Sequence, residues 1–386
     1  MRRILVVCVW SCLTVLPLRA AEVTLEELAS PPFAGTAGVS NIAADGTVVG
    51  TGWPDAMVVR WQPGQPPENL GGDTFTLENI LPLISADGGT IAANVYVPVE
   101  PGNPKAGLVG KAALWQGETT WAPIDGAVLA QATPFGLSDD GRFLVGAGWV
   151  DVFPDEDAVE HAWIWSAETG QQLLGAVDGL SWAQAWAVSN DGTVAVGFAD
   201  AAPDDFTRHG VRWDAGVAQR IRDAQDRPVG QAIACNSDCS IIVGAGFTAA
   251  GGSGQAWRWT AAGGVQFLGE IPGAPPDITY YAFDLTEDGA MIVGSYPVFD
   301  PVQGSINHGF VWSEASGLVD IVDFLAAHGI DYGADFNELV VNAITRDGSK
   351  LLLNGGNADY QRQRAIVHIA QAPPQVFADG FESQLP

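Results

Sequence analysis

Basic residues are scarce in this sequence, and their scarcity excludes two classes of partner. The 386 residues include 17 lysines and arginines against 45 aspartates and glutamates, so the net charge is −28. A chain this negative repels the phosphates of nucleic acids and the headgroups of anionic lipids. We therefore predict no nucleic-acid partner and no attachment to membranes through basic residues.

Long hydrophobic runs are equally rare. Residues 1–20 combine Arg2 and Arg3 with the apolar run from Ile4 to Leu16, which is typical of a secretory signal peptide and too short for a membrane helix. Beyond residue 20 the sequence contains no apolar run of the length that a membrane span needs, so we expect no transmembrane anchor. The predicted product is secreted: extracellular, periplasmic or at the cell surface.

Cysteine is nearly absent from the predicted mature chain. Two of the four cysteines lie in the signal peptide, and only Cys235 and Cys239 remain after cleavage. An oxidising compartment allows these two to pair, and we predict a disulfide that clamps the short turn between them. The spacing is not C-x-x-C and no histidine is near in sequence, which argues against a metal or redox role.

Glycine, in contrast, is abundant, with 47 copies, and much of it belongs to a repeat of about 50 residues. The pattern is an apolar residue, Ser, any residue, Asp and Gly, followed by an apolar run and a second Gly, as in residues 188–197. Because Asp-Gly accepts the positive φ angles of a tight hairpin, each copy begins with two antiparallel strands. The seven turn aspartates are Asp45, Asp87, Asp140, Asp191, Asp238, Asp288 and Asp347.

A third and a fourth strand follow in each copy. An apolar stretch ending in tryptophan comes after the hairpin in six copies, at Trp61, Trp115, Trp165, Trp213, Trp259 and Trp312. Seven units of four short strands predict an all-β fold, a seven-bladed β-propeller of four-stranded antiparallel blades. An open solenoid built from the same repeats is the structural alternative.

The predicted propeller is a single domain over residues 21–371, followed by a flexible C-terminal tail over 372–386. The segment from Val23 to Leu28 has the pattern of an unpaired strand, and we predict that it completes the last blade and covers its exposed edge. One short helix is expected between Leu318 and Phe336, in the region of the last blades, because apolar residues there recur at helical spacing.

A tripeptide that begins with histidine precedes the tryptophan strand in three copies: His161-Ala162-Trp163, His209-Gly210-Val211 and His308-Gly309-Phe310. In this feature, and over nearly all of residues 36–371, the chain resembles the HAF family of bacterial extracellular repeats. The resemblance implies export and a propeller-like fold. It implies no enzymatic activity.

Clustered carboxylates provide the first candidate site. An acidic connection carries Asp151, Asp155, Glu156, Asp157 and Glu160. Carboxylates in this density can bind calcium in an exported protein, and Asp155, Asp157 and Glu160 are the candidate ligands, although a solvated charged loop has the same composition. Calcium is the one candidate cofactor, and no other is expected.

The second candidate site is a face of the predicted propeller. In a four-stranded blade, the connections between strands two and three lie on the same face as the connections between blades, and we call this the long-loop face. Its long segments are 97–111, 149–161, 199–209 and 296–308. Loops on a rigid scaffold carry function, so this face is the predicted binding surface. Further candidate residues on it are Asp204, Asp205, Asp300, Tyr280, Tyr281 and Tyr296.

The sequence contains no G-x-S-x-G, H-E-x-x-H or phosphate-binding glycine motif. It therefore favours an exported, non-enzymatic repeat protein, a binding or interaction scaffold whose long-loop face takes an extracellular protein or a glycan. The alternative is an extracellular hydrolase or lyase acting on polysaccharide or another polymer. Carboxylates that converge in one cleft, with a pKa raised by burial, would favour the enzyme, and a purely structural surface protein is a third hypothesis.

Overall fold

The structure is a computed structural model, which describes residues 22–370 except for 55, 72–80, 101–102, 116–119, 125–127, 153–157, 202–207, 247–253, 276–277, 301–303, 334–335 and 358–361. The predicted signal peptide and C-terminal tail lie outside the described residues. Within the described part, none of the helical structure has the length and apolar character needed to span a membrane.

The described residues form strands almost throughout, and these strands fall into antiparallel sets of four, which we call blades. One parallel bridge, His308 opposite Leu339, joins the last two blades into a single eight-stranded sheet. The chain begins with β1 (Val23–Glu27) and continues into blade 1, which consists of β2 (Thr36–Ile42), β3 (Val48–Trp53), β4 (Met57–Trp61) and β5 (Glu68–Gly71). Blade 2 consists of β6 (Leu83–Ile84), β7 (Ile91–Glu100), β8 (Asn103–Trp115) and β9 (Trp121–Pro123). Blade 3 consists of β10 (Gln131–Leu137), β11 (Phe143–Trp149), β12 (His161–Ser166) and β13 (Gly170–Leu173).

The second half of the chain repeats this order. Blade 4 consists of β14 (Trp182–Val188), β15 (Val194–Asp200), β16 (His209–Asp214) and β17 (Val217–Arg220). Blade 5 consists of β18 (Ala232–Cys235), β19 (Ile241–Gly244), β20 (Trp257–Thr260) and β21 (Gly264–Phe267). Blade 6 consists of β22 (Tyr281–Leu285), β23 (Met291–Asp300), β24 (Gly304–Ser313) and β25 (Gly317–Asp320), and blade 7 of β26 (Glu338–Ile344), β27 (Lys350–Gly356), β28 (Arg362–Ile369) and β1.

The predicted helix is present as α1 (Ile321–Ala327), between blades 6 and 7. Asp320 caps its first turn by accepting a hydrogen bond from the backbone N–H of Val322. The buried side chains of Ile321 and Leu325 join the apolar cluster between these two blades. The helix therefore fills the space where the connection between the blades is longest.

The ring is closed by the N-terminal strand and by packing between the first and last blades. β1 pairs antiparallel with β28, from Val23 opposite Ile369 to Glu27 opposite Ala365, which confirms the predicted completion of the last blade. One buried apolar cluster joins Trp61 of blade 1 to Ile366 of blade 7, and each pair of neighbouring blades shares a cluster of this kind. The all-β propeller prediction is confirmed, and the open solenoid does not fit this closure.

The Asp-Gly turns have the conformation that the repeat predicts. Asp191 accepts hydrogen bonds from the Ser189 hydroxyl at 2.6 Å and from the Thr193 backbone N–H at 2.9 Å. These hydrogen bonds hold the pKa of Asp191 below its ordinary value. Gly192 follows with a φ of 69°, and in blade 5 the equivalent Cys239 has a φ of 50°. Cys239 forms the predicted disulfide with Cys235, which confirms the turn clamp.

The inner strand of each blade is its first strand, and most inner strands carry a β-bulge of one extra residue. The bulged residues are Ser40, Phe135, Trp186, Ile233, Phe283 and Asn342. Each lies five positions before the turn aspartate of its own repeat. Because a bulge redirects a side chain, these residues leave the packed faces of the blades and point to the axis of the ring.

A proline substitution tests whether β1 contributes to stability. The N–H of Leu28 donates to the carbonyl of Arg364 in β28, and the carbonyl of Glu22 accepts the N–H of Ala370, directly after β28. Strand alternation therefore directs the N–H of Thr24 toward β28 and that of Glu27 away from it. We expect Thr24→Pro to lower the free energy of unfolding by about 1–3 kcal/mol, since it leaves a carbonyl of β28 unpaired. The matched Glu27→Pro is expected to cost less than about 0.5 kcal/mol. Urea unfolding measures both, and equal losses would contradict a contribution from this pairing.

Candidate functional site

The inner strands of all the described blades surround one central channel, with a cavity of about 460 Å³. The bulged residues form a collar around it, and Pro82 supplies the equivalent position in blade 2, five residues before Asp87. This collar is chemically divided. Blades 3 to 6 contribute Phe135, Trp186, Ile233 and Phe283, whereas blades 7 and 1 contribute Asn342 and Ser40.

Ring stacking and a chain of buried hydrogen bonds fix the orientation of the aromatic side chains in the collar. The rings of Phe135 and Trp186 stack with centroids 5.0 Å apart and planes 8° from parallel. The indole Nε1 of Trp186 donates to Gln184 Oε1 at 3.1 Å, and Gln184 Nε2 donates to Glu160 Oε2 at 2.8 Å. Glu160 is 2% exposed. Its carboxylate therefore anchors the hydrogen-bond chain that orients Trp186.

The hairpin turns form a second ring, at the opposite end of the channel from the long loops. In blades 1 to 6, the residue before the turn aspartate donates its backbone N–H to its counterpart in the next blade, and a lysine completes the ring from blade 7 to blade 1. The successive bonds are Ala44 N to Ala86 O, Ala86 N to Asp139 O, Asp139 N to Asn190 Oδ1, Asn190 N to Ser237 O, Ser237 N to Glu287 Oε2, and Glu287 N to Arg346 O, and the Lys350 ammonium donates to Ala44 O. We call these residues the turn ring.

An ion cluster crosses the channel inside the turn ring. Arg346 of blade 7 donates through Nε to both carboxylate oxygens of Asp139 in blade 3, each at 3.0 Å. Through Nη1 it also donates to Asp284 Oδ1 of blade 6 at 3.1 Å. Blades 7 and 3 stand on opposite sides of the ring, so this arginine reaches across the axis. The cluster obstructs the channel at its turn end.

The charges in this cluster shift one another's protonation. Burial lowers the pKa of the Arg346 guanidinium, but the attraction of Asp284 and Asp139 outweighs burial and raises that pKa above its ordinary value. Burial raises the pKa of Asp284, and Arg346 opposes this shift. Asp284 also accepts the backbone N–H of Ile344 at 3.0 Å and that of Leu285 at 2.9 Å. With these donors and Arg346 around it, we assign Asp284 as a carboxylate.

Two hairpins project from the long-loop face. β7 and β8 pair as far as Glu100 opposite Asn103, and β23 and β24 as far as Asp300 opposite Gly304. In blade 3 the corresponding pairing ends at Gly148 opposite His161. We call residues 96–110 the arm of blade 2 and residues 297–307 the arm of blade 6. Four additional residues at 3.3 Å each would carry the second arm roughly 13 Å beyond an ordinary blade.

The long-loop face also exposes large apolar side chains. Phe299 of the arm of blade 6 is 74% exposed, and Leu108 of the arm of blade 2 is 56% exposed. On the connections of blades 2 and 3, Val128, Val150 and Val159 are exposed as well. Most of the exposed large apolar residues among the described residues thus lie on this face rather than on the outer strands.

Two of the three tyrosines predicted on the long-loop face are buried, and the third is partly exposed. Tyr280 and Tyr296 are 2% and 5% exposed. Tyr280 accepts a hydrogen bond from the backbone of Ile271, and Tyr296 donates to Asp320 at 2.6 Å. Burial, followed by the Asp320 carboxylate, raises the pKa of Tyr296. Both rings pack inside the blades, which corrects the expectation that they present themselves to a ligand. Tyr281 is partly exposed and stacks on Phe283 of the collar.

The predicted acidic site is only partly covered by the structure. Asp151 is exposed, and Glu160 is buried in the contact with Gln184 described above. Asp155, Glu156, Asp157, Asp204 and Asp205 lie outside the described residues, as does the side chain of Asp300. Among the residues that the structure describes, no group of three or more His, Cys, Asp or Glu side chains is placed to hold a metal ion. Calcium binding therefore stays a prediction.

The sequence also contains a signal for the channel residues. The repeat has nearly invariant turn positions, and against them the residue five before and the residue one before the turn aspartate vary freely in chemical type. These two positions are the collar and the turn ring. Residue types that vary at the same two positions of an otherwise constant repeat indicate side chains that face a cavity rather than a packed core.

Comparison with known proteins supports the fold and leaves the family open. No family model matches the chain, and no curated protein matches it. Among solved structures it is similar to an oligogalacturonate lyase from Vibrio parahaemolyticus, with a TM-score of 0.56 and 11% identity over 90% of this chain and 98% of that chain. It is also similar to the propeller domain of the Trilobed protease from Pyrococcus furiosus, with a TM-score of 0.53 and 12% identity over 87% and 98% of the two chains.

A further match is TolB from Acinetobacter baumannii, with a TM-score of 0.41 and 12% identity over 86% of this chain. This chain spans 63% of the length of that protein. The fold and the channel define a β-propeller. At these identities the similarity extends to the fold alone.

Proposed function

We propose that this protein is exported and acts as a binding scaffold, whose long-loop face captures an extracellular protein or glycan. The observation that carries the proposal is the pair of arms, which project from blades 2 and 6 with Leu108 and Phe299 exposed. Large aromatic and aliphatic side chains exposed on projecting hairpins are costly in water and become favourable contacts in an interface. Burying one such side chain is worth about 2 kcal/mol.

Because the channel is obstructed at its turn end, the long-loop face is also the favoured binding surface for a partner that enters the channel. The Arg346 cluster and the turn ring occupy the turn end, so a partner that also engages the channel approaches from the long-loop end. The arms stand on this end, three blades apart along the shorter way around the ring. A partner that covers this face would contact the two arms and, beside the arm of blade 2, the exposed side chains of Val128, Val150 and Val159.

The alternative, a hydrolase or lyase acting on a polymer, has one observation in its favour. Asp139 and Asp284 converge on the channel, and burial raises the pKa of Asp284. Both carboxylates, however, bind the Arg346 guanidinium, which favours their ionised state and a role in holding the ring. The binding proposal is therefore preferred.

Charge placed on the arms tests the binding proposal. The mature protein is probed with a glycan array and with envelope extract, and retained ligands are identified by mass spectrometry. We expect the double variant Leu108→Asp, Phe299→Asp to retain at least tenfold less of the ligand than the parent, because the new carboxylates must be desolvated in the interface.

Val217→Asp is the matched control, since Val217 is 64% exposed on an outer strand near the turn end. It adds charge without touching the long-loop face and should bind as the parent does. Equal losses in both variants, or no ligand retained by the parent, would contradict the proposal. Shortened glycan products in the eluate would favour the enzyme instead.

A further inference from the structure

The central channel has the size and lining of a small-ligand site, separate from the arms. Its cavity of about 460 Å³ falls within the range of roughly 300–1,000 Å³ that is common for such sites. Most of its lining is apolar, and the polar residues of the collar, Asn342 and Ser40, lie in the neighbouring blades 7 and 1. From this lining we infer that the channel binds a neutral sugar ring, of the size of a mono- or disaccharide.

The charges of the lining exclude an ionised ligand. Asp139, Asp284 and Asp347 line the cavity against the single cation Arg346, so an anion such as a uronate or a phosphate is repelled. A cationic ligand is disfavoured too, because the carboxylates of the lining already bind groups of the protein. Asp139 and Asp284 bind Arg346, while Asp347 accepts the Thr345 hydroxyl and the backbone N–H of Ser349. The site therefore selects an uncharged molecule.

The polar side of the collar requires hydrogen-bonding groups on that molecule. The amide oxygen of Asn342 is buried and has no hydrogen-bond partner within the part of the chain that the structure describes. Asn41, on the neighbouring inner strand, also lines the cavity. A purely apolar ligand would leave the Asn342 oxygen unpaired, at a cost of about 1–3 kcal/mol. A hydroxyl group donates to it, and a second amide beside it suits a pair of adjacent hydroxyls.

The opposite side of the collar requires an apolar face. Phe135, Trp186 and Phe283 bring aromatic rings to the cavity, and the C–H bonds on the face of a sugar ring pack well against the negative face of such rings. A neutral sugar ring combines this apolar face with hydroxyls at its edge. A neutral sugar therefore complements both the aromatic and the polar side of the collar, whereas a wholly apolar or an ionised molecule complements at most one of them.

The test is a titration of the mature protein with neutral disaccharides such as cellobiose, maltose and lactose, followed by tryptophan fluorescence and thermal unfolding. Galacturonate and glucosamine are the charged comparisons, and toluene is the apolar comparison. At one hundred times its dissociation constant, a ligand specific to the folded state adds about 2.7 kcal/mol to stability. We expect at least one neutral sugar to bind, the charged sugars to bind at least tenfold more weakly, and Trp186→Phe to lose the fluorescence response while retaining the thermal shift.

Asn342→Ala is the diagnostic variant, and Gln219→Ala, at an exposed amide on the outer strand β17, is its control. We expect Asn342→Ala to weaken sugar binding at least tenfold with little change in the unliganded melting temperature, and Gln219→Ala to bind sugar as the parent does. Tighter binding of toluene or galacturonate than of every neutral sugar would overturn the inference, as would no binding at millimolar sugar or unchanged binding by Asn342→Ala. Since the arm variants leave the collar intact, partner capture and sugar binding can fail separately.

Discussion

Arg346→Met is expected to lower the free energy of unfolding by about 3–5 kcal/mol. The variant preserves most of the apolar side chain but leaves Asp139 and Asp284 facing each other across the channel without a counter-charge. Burial of an unpaired carboxylate is strongly unfavourable, and here two of them repel each other as well. Because the cluster joins three blades, the loss should appear in the cooperative unfolding of the whole ring.

Two controls separate charge from packing in this prediction. Arg362→Met removes an ion pair with Glu338 of 3.0 Å whose arginine is 40% exposed, and it should cost less than about 1 kcal/mol. Combining Arg346→Met with Asp139→Asn and Asp284→Asn removes the uncompensated charge, so the triple variant should recover a large part of the stability. Urea unfolding at neutral pH gives all three values. A loss of under 1 kcal/mol for Arg346→Met would show that the cluster is solvated.

Gly197→Ala is expected to lower the free energy of unfolding by about 3 kcal/mol or more, or to prevent accumulation of folded protein. A Cβ at Gly197 would lie 1.9 Å from the carbonyl oxygen of Gln184 and 2.9 Å from the Cα of Ala185. Both are backbone atoms of the inner strand beside the bulge, so neither can turn away as a side chain would. The second glycine of the repeat is therefore a steric requirement of the bulge.

The same clash recurs around the ring, which makes the prediction general. A Cβ would lie 2.0 Å from a facing carbonyl oxygen at Gly50, 1.8 Å at Gly146 and 2.1 Å at Gly244. Gly35→Ala is the control, since its nearest neighbour would be the Trp53 carbonyl oxygen at 3.7 Å, and it should change stability by less than about 0.5 kcal/mol. Soluble yield and urea unfolding test the pair. Wild-type stability of Gly197→Ala would mean that the bulge relaxes freely.

Much of the blade architecture could be predicted because its signals are local. The Asp-Gly turn, the alternating strands around it and the pair Cys235 and Cys239 each depend on contacts within a few residues. The pairing of the strand near Val23 with the last blade could be predicted because the exposed edge of a sheet needs a partner. In each case the chemistry that decides the structure is contained in one segment of the chain.

The binding residues were predicted less well, and the tyrosines show why. Tyr280 and Tyr296 fall in or beside long connections, yet the bodies of both rings fill the space between blades 5 and 6, where the apolar contacts outweigh exposure of the hydroxyls. The sequence does not show which way Trp186 faces, because this residue lies near a strand end. The bulge beside Ala185 decides this, and a bulge has no fixed sequence pattern beyond its facing glycine.

The sequence by itself determined the repeat, the turns, the four-stranded blades and the strand that completes the last one, since each follows from backbone conformation and periodicity along the chain. Only the tertiary structure decided what lies in the channel. Arg346 and Asp139 are 207 residues apart, and Asn342 and Phe135 share one collar because the ring closes. Such convergence depends on the angle between successive blades, which results from the packing of whole sheets and which no segment specifies alone.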